Sequence, residues 1–189
     1  MLKRILRYLR GTKNLGLYYT LSASDPALTA YSDSDYAGDL DDRKSTSGYV
    51  FLKNGALISW RSKKQTVIAQ STAEAEYVAL FYTTQECTWL RRLLEELRDK
   101  LDKPTTVFED NKATIQIASD PVGHPKTKHI ATKFHFTRDQ ILNGVISIVY
   151  CPTKEMLADF MTKPLPRDQF EKLRSAAGLT QDPSVKKEC

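Results

Sequence analysis

The segment Tyr49-Val-Phe-Leu-Lys-Asn-Gly-Ala-Leu-Ile-Ser-Trp60 carries the strongest indication of the fold. Its two halves, residues 49–52 and 56–60, are dominated by apolar, β-branched and aromatic side chains, as strands are. Asn54-Gly55 between them is the residue pair that a tight hairpin turn prefers. A similar run, residues 28–33, precedes the hairpin, so the sequence predicts three consecutive antiparallel strands.

The pattern changes from strand to helix after the hairpin. Ser71 followed by Glu74 is a capping-box pattern, which marks the start of a helix. Apolar residues then recur at helical spacing as far as Leu101, and Pro104 ends the pattern. One long helix, or two joined helices, is therefore predicted here.

Two further strands follow, separated by helices. Strands that are joined through helices pair in parallel by right-handed crossovers. The predicted fold class is therefore α/β, a five-stranded mixed sheet flanked by helices in the order βββαβαβα. The predicted elements after Pro104 are strands at residues 105–109 and 145–150, and helices at residues 111–119, 130–141, 154–163 and 169–177.

Composition limits the organisation and the compartment of the protein. A chain of 189 residues, 41% of them hydrophobic, accommodates one domain of ~100 to 150 residues with extensions. We expect a basic helix and connecting segment at residues 1–25, the domain at 26–178 and a mobile tail at 179–189. No apolar run approaches the ~20 residues that span a bilayer, and no signal peptide opens the chain. An intracellular, cytoplasmic protein without a membrane partner is therefore expected.

Charge and cysteine content favour an intracellular protein with a polyanionic partner. The 28 Lys and Arg residues exceed the 23 Asp and Glu residues, and a net charge of +5 favours a polyanionic partner such as nucleic acid. The three cysteines, Cys87, Cys151 and Cys189, lack any metal-ligand spacing and are expected to be reduced. Trp60 and Trp89 are expected in the core.

Four acidic residues are predicted to converge on one edge of the sheet. Asp33 and Asp110 follow or end predicted strands, and the carboxyl ends of parallel strands meet where ligands usually bind. Glu76 and Asp159 lie on helices beside apolar faces. Clustered carboxylates repel one another, so this arrangement indicates divalent cations, and oxygen ligands favour Mg²⁺ or Mn²⁺. A pair of such ions is a known device for phosphodiester hydrolysis.

Each acid also has a simpler interpretation. Asp35 and Asp39 fit a loop, although Asp35 is close enough to Asp33 to compete with it or support it. Glu74 fits the helix cap better than a metal. Asp110 taken alone fits the N-cap of the following helix, and Asp159 taken alone fits a solvated helix surface.

The motifs carrying these acids resemble those of a known family, the ribonuclease H domain of copia-type LTR retrotransposon Pol polyproteins. Among them are Tyr31-Ser-Asp-Ser-Asp-Tyr-Ala-Gly-Asp39 and Gln70-Ser-Thr-Ala-Glu-Ala-Glu-Tyr77. The others are at residues 3–12, 45–49, 59–60, 109–113, 127–130 and 158–164. The resemblance covers about residues 3 to 178 and rests on the order of the pieces.

This resemblance implies a ribonuclease H-like fold and an endonuclease that hydrolyses the RNA strand of RNA–DNA hybrids during reverse transcription. Asp33, Glu76, Asp110 and Asp159 are similar to the family's catalytic acids, which bind two Mg²⁺ ions, with Mn²⁺ as a substitute. The segment up to Asp25 resembles the end of the reverse transcriptase connecting region. A further implied partner is therefore the polymerase portion of the same polyprotein, and the implied location is a virus-like particle if the element is active.

Recognition of a hybrid requires polar groups that read the RNA 2′-hydroxyl beside the metals. Gln70, Ser71, Thr72 and Asn111 are adjacent in sequence to Glu76 or Asp110, and Lys112 is placed to neutralise a phosphate. These five residues are the predicted substrate-binding set. Ser71 and Asn111 fit helix caps equally well.

The proton donor to the leaving group is not defined by the sequence. Cellular relatives place a mobile histidine just before the fourth acid, whereas residues 151–155 contain none. Lys154, a water molecule and His124 are the alternatives, and structural roles are favoured for His129 and His135. Two other functions stay open: an inactive remnant that binds nucleic acid, and a different nuclease of the same fold such as an integrase or resolvase.

Overall fold

The computed structural model describes residues 2–19, 27–119 and 131–181. The strands are β1 (Leu15–Leu17), β2 (Thr29–Asp35), β3 (Thr46–Lys53), β4 (Ala56–Lys64), β5 (Thr105–Glu109), β6 (Ile146–Tyr150) and β7 (Leu179–Gln181). The helices are α1 (Leu2–Thr12), α2 (Thr72–Glu96), α3 (Lys112–Ser119), α4 (Ala131–Leu142), α5 (Asp159–Thr162) and α6 (Arg167–Ala176).

Five strands form the central sheet in the order β4-β3-β2-β5-β6. The β2–β3 and β3–β4 pairs are antiparallel, whereas β2–β5 and β5–β6 are parallel. In the β3–β4 hairpin, Asn54 and Gly55 have φ values of 54° and 82°, the two left-handed residues that a type I′ turn requires. The predicted mixed α/β sheet is therefore confirmed.

Each face of the sheet is covered by a different part of the chain. On one face, Tyr77 and Leu80 of α2 pack with Ala30 and Val107 of the sheet, and the Tyr77 ring stacks on Phe134 of α4 at 4.0 Å. On the other face the buried residues Val50, Leu57, Leu157, Leu173 and Ala177 cluster. Burial of these apolar side chains on both faces stabilises the sheet and fixes its helices around it.

The structure differs from the predictions in several places. The helix α2 ends at Glu96, before the predicted limit at Leu101. Residues 154–163 do not form one helix, because the chain makes a 3₁₀ turn at Thr153–Glu155 and α5 starts only at Asp159; between them Met156 is extended and fully buried. Residues 179–181, predicted in the tail, form β7, which pairs with β1 as a separate two-stranded sheet. Trp60 and Trp89 are 54% and 56% exposed, so their prediction as core residues is wrong.

Three smaller observations complete the fold. The apolar residues Leu2, Ile5, Leu6 and Leu9 of α1 are at least half exposed. Cys87 and Cys151 are buried and free. Within the described ranges, no helix combines the length and the apolar character needed to cross a membrane.

Candidate metal centre

The register of the two central parallel strands brings Asp33 and Asp110 together. Tyr31 of β2 is aligned with Phe108 of β5, and their rings stack at 4.6 Å. Asp33 and Asp110 each lie two residues further along. Because side chains alternate with a period of two, both carboxylates project on the same side of the sheet as the stacked rings.

Glu76 reaches this point from the first turns of α2. The helix start is fixed by Ser71, whose hydroxyl accepts the Glu74 N–H at 3.2 Å, and by Glu74, whose carboxylate accepts the Gln70 N–H at 2.8 Å. The buried Gln65 side chain donates to Ser47 Oγ and to the Ala75 carbonyl, which ties α2 to β3. These contacts set the position of Glu76 relative to the sheet.

One oxygen from each of Asp33, Glu76 and Asp110 lies within 4.8 Å of the other two. Asp33 and Glu76 are buried, with 1% and 7% of their surface exposed, and Asp110 is partly exposed. Oxygen atoms at these separations have the spacing and chemistry of a site for a hard divalent cation. We refer to Asp33, Glu76 and Asp110 as the carboxylate triad.

The electrostatics of the triad show that burial outweighs the positive charge that Lys163 supplies at Asp33. Burial raises the pKa of Asp33 from 3.8 to about 6, although Lys163 and a hydrogen bond from Thr162 lower it. Burial raises the pKa of Glu76 well above its usual value, and the nearby charges of Glu109 and Asp33 raise it further. Oε2 of Glu76 is buried without a hydrogen-bond partner among the described residues. A cation bound here would remove both penalties.

Glu109 is a buried acid that the sequence interpretation missed. Its side chain is 0% exposed, one oxygen accepts the Asn111 N–H at 3.2 Å, and the other has no partner in the described chain. Burial raises its pKa well above the usual value, and repulsion from Asp110 and Asp33 adds to the effect. The available signal was strand alternation, because the buried Thr105 and Val107 place residue 109 on the same inward face.

Asp159, the fourth predicted acid, lies beside the triad and not within it. It is 1% exposed and its Oδ1 lies 2.9 Å from Lys163 Nζ. Lys163 Nζ is also 3.8 Å from Asp33 Oδ2, and the Thr162 hydroxyl donates to that same oxygen. Burial raises the pKa of Asp159 despite Lys163, and the charge of Asp110 contributes. The structure thus links Asp159 to Asp33 through a lysine.

The other candidate acids lie in structural positions. Asp39 pairs with Lys64 at 2.5 Å and accepts the N–H groups of Asp41 and Asp42, so it organises the loop after β2. Asp35 is the last residue of β2, and its carboxylate is close enough to Gly38 to leave no room for a side chain there. The loop interpretation of Asp39 is therefore confirmed.

The predicted substrate-binding residues lie at or just before the starts of α2 and α3, and two of them are helix caps. Asn111 Oδ1 accepts the N–H groups of Ala113 and Thr114, which makes it the N-cap of α3, as Ser71 is of α2. Lys112 lies 5.0 Å from the centre of the Tyr150 ring. Gln70 and Thr72 are exposed at the start of α2.

Of the two side chains predicted as proton donors, Lys154 lies among the described residues and His124 does not. His124 and His129 lie outside the described residues, and His135 is exposed on α4. Lys154 is exposed in the 3₁₀ turn. Its neighbour Thr153 donates a hydrogen bond of 2.7 Å to Asp110 Oδ2, which brings this turn next to the triad.

The strand order and the acidic cluster define a class of fold. The crystal structure of LC11-RNase H1 in complex with an RNA/DNA hybrid matches with a TM-score of 0.52 and 16% identity, covering 71% of this chain and 93% of that one. At this identity the likeness concerns the fold alone. The chain therefore has the ribonuclease H fold.

Similarity in sequence gives the more particular relationship. The chain is 42% identical over 182 residues, 96% of its length, to the retrovirus-related Pol polyprotein from transposon RE1 of Arabidopsis thaliana. It is 41% identical over 177 residues, 94% of its length, to that from transposon TNT 1-94 of Nicotiana tabacum. No family model matches the chain. The predicted resemblance is confirmed: the chain is homologous to a segment of copia-type Pol polyproteins, and it spans 12% and 13% of the lengths of these two relatives.

Proposed function

We propose that the protein is a metal-dependent endonuclease of the ribonuclease H type that hydrolyses the RNA strand of RNA–DNA hybrids. The observation that carries this proposal is the carboxylate triad, with three oxygen atoms within 4.8 Å at the shared end of two parallel strands. The relatives are named as retrovirus-related Pol polyproteins. This homology supports a role in reverse transcription.

The donor set fits divalent cations of the Mg²⁺ or Mn²⁺ kind. All three triad atoms are carboxylate oxygens, and the buried, unpartnered Oε2 of Glu76 supplies a free ligand position. Asp33, Glu76 and Asp110 would hold one ion, and Asp159 with Asp110 or Asp33 would hold a second. Bound ions would lower the pKa of an attacking water and stabilise charge on the leaving oxygen.

Neighbouring residues of the chain would hold the metal-binding carboxylates in position. The Thr162 hydroxyl holds one oxygen of Asp33, and the Thr153 hydroxyl holds one oxygen of Asp110, so each acid keeps its other oxygen for a cation. Such supporting hydrogen bonds orient metal ligands in many sites. The caps at Ser71 and Asn111 fix the two helices that flank the centre.

Hybrid binding is proposed for the exposed surface around the triad. Gln70 and Thr72 at the start of α2 and Lys112 at the start of α3 are exposed, so they are free to contact sugar and phosphate oxygens. Ser71 and Asn111 would act through backbone groups at these helix starts, since their side chains are caps. The polymerase portion of a larger polyprotein is the proposed second partner.

Cleavage of a labelled hybrid tests this function. We expect cutting of the RNA strand that needs Mg²⁺ or Mn²⁺, stops with EDTA and spares duplex DNA. Asp110→Asn should reduce the rate by about 10² or more, because removing a group that acts on transition-state charge costs several kcal/mol. The exposed loop residue Asp41 offers a matched control, since Asp41→Asn makes the same change in charge outside the centre.

The outcomes separate the alternatives. Undiminished cutting by Asp110→Asn would remove Asp110 from the chemistry and contradict the proposed centre. Binding of hybrid without metal and without cleavage would instead support a non-enzymatic module. Digestion of duplex DNA with hybrid spared would indicate a different nuclease.

A further inference from the structure

Lys163 is the cation that the described chain places against the acidic cluster. Its Nζ lies 2.9 Å from Asp159 Oδ1 and 3.8 Å from Asp33 Oδ2. The lysine side chain is 31% exposed, whereas those of Asp33 and Asp159 are 2% and 1% exposed. The ammonium therefore connects two buried carboxylates while retaining a route to solvent.

The position of Lys163 is fixed by its backbone. Its N–H donates to the Asp159 carbonyl at 3.1 Å, and the preceding Thr162 donates its hydroxyl hydrogen to Asp33 while its Oγ1 also lies 3.1 Å from that carbonyl oxygen. The helix α5 is pressed against β3 at Gly48, where a Cβ atom would approach Thr162 Cγ2 to 2.6 Å. The lysine thus enters the cluster from a tightly packed element.

The charge balance suggests what the lysine does. Within the described residues, Asp33, Glu76, Glu109, Asp110 and Asp159 bring five carboxyl groups together, and the ammonium of Lys163 pairs with two of them. A divalent ion and an ammonium group repel each other strongly at a few Å in a buried site. They cannot both occupy the space between Asp33 and Asp159.

We propose that Lys163 is a positioning residue that holds Asp159 as a built-in counter-cation and competes with a divalent ion for the Asp33–Asp159 side of the centre. The inference rests on the metal-binding part of the proposed function. Among the triad acids of the described chain, Lys163 has an ion pair with Asp33 alone, which leaves Glu76, Asp110 and the other Asp33 oxygen for the first ion. A second ion binds at Asp159 only when the ammonium moves out, and its partial exposure allows this movement.

Binding of Mn²⁺ in the absence of nucleic acid tests the competition. Electron paramagnetic resonance of free Mn²⁺ counts the ions that the full chain binds and gives their affinities. Lys163→Gln keeps a hydrogen bond to Asp159 without the charge, so it should bind the weaker ion about tenfold or more tightly than the parent. Lys163→Arg should behave like the parent. Lys172→Gln makes the same change at an exposed position of α6 and is the matched control.

A purely structural role for Lys163 would give the opposite sign, because a disturbed centre binds metal more weakly. Unchanged or weaker Mn²⁺ binding by a folded Lys163→Gln would therefore overturn the proposal while leaving the nuclease intact. A parent that binds no Mn²⁺ would overturn the metal centre and this inference together.

A measurement on the parent protein does not depend on the variant folding. The amine of Lys163 should react slowly with an acylating reagent in EDTA and faster with saturating Mn²⁺, as followed by mass spectrometry of its peptide. Lys172 should show no such change. Equal labelling of Lys163 in both conditions would contradict the displacement.

Discussion

Replacing Asp33 by asparagine should stabilise the metal-free protein at alkaline pH. Burial raises the pKa of Asp33 from 3.8 to about 6, even though Lys163 and the Thr162 hydroxyl favour the ionised form. Ionising Asp33 in the folded chain is therefore unfavourable without a metal. Asparagine has nearly the same shape, retains an acceptor for Thr162 and carries no charge.

The size and direction of the effect follow from the pKa change. A carboxyl group whose pKa is raised on folding contributes stability that is fully present below pH ~4 and is lost as the pH rises through about 6. The interval between 3.8 and about 6 corresponds to about 3 kcal/mol. Asp33→Asn should therefore be more stable than the parent by up to about 3 kcal/mol at pH 8. At pH 5 the gain should be roughly half of that.

Urea unfolding in EDTA, followed by circular dichroism at pH 5 and pH 8, measures this difference. Asp41→Asn, an exposed loop change, should stay within about 0.5 kcal/mol of the parent at both pH values. With saturating Mg²⁺ the order should reverse, because only the parent gains stability from the bound ion. A variant that is less stable than the parent at pH 8 in EDTA would refute the reasoning.

Three other substitutions test neighbouring features. Glu109→Gln should raise the free energy of unfolding in EDTA at pH 8, because the pKa of this fully buried carboxyl is raised well above its usual value; a lower value from urea titration would contradict this. Gly48→Ala should cost about 1–3 kcal/mol and lower the thermal midpoint, since the new methyl group would meet Thr162 Cγ2 at 2.6 Å. Phe134→Ala should cost about 3–5 kcal/mol in urea unfolding by removing the ring stacked on Tyr77, and a loss below 1 kcal/mol would show that α4 contributes little.

Elements with a strong local signal were predictable from the sequence. Asn54-Gly55 determines the β3–β4 hairpin because both residues adopt positive φ at little steric cost. Ser71 and Glu74 determine the start of α2, since each accepts a backbone N–H there. The order of elements along the chain and the mixed character of the sheet followed from the alternation of strands and helices after α2, whereas the strand order within the sheet required the structure.

Elements that depend on distant contacts were not predictable. β7 is three residues long and pairs with β1 in a separate two-stranded sheet, so it carries no periodic pattern of its own. The break before α5 occurs because Met156 is buried with Cys151 and Ala158 in a separate cluster, a tertiary effect that helical spacing does not reveal. Trp60 and Trp89 were misassigned because large aromatic residues are buried on average and not in every case.

The sequence predicted which acids form the centre better than it predicted their relative positions. Asp33 and Asp110 meet because the parallel register aligns Tyr31 with Phe108. The sequence indicates this meeting, since both acids lie at predicted strand ends. The distinction between the triad and Asp159 depends on where Lys163 lies, which requires coordinates. Glu109 was not predicted because the strand end indicates Asp110, whereas the inward position of Glu109 follows only from the alternation of the buried residues Thr105 and Val107.

The pairing of β2 with β5 has a consequence for synthesis of the protein. Within the central sheet, the ribosome releases the β2–β4 meander first, and this part holds Asp33 without Glu76 or Asp110. Glu76, Asp110 and the α5 segment emerge later, in that order. A growing polypeptide therefore cannot assemble the three carboxylates before β5 has been translated, and the proposed nuclease would also have to wait for α5 to dock.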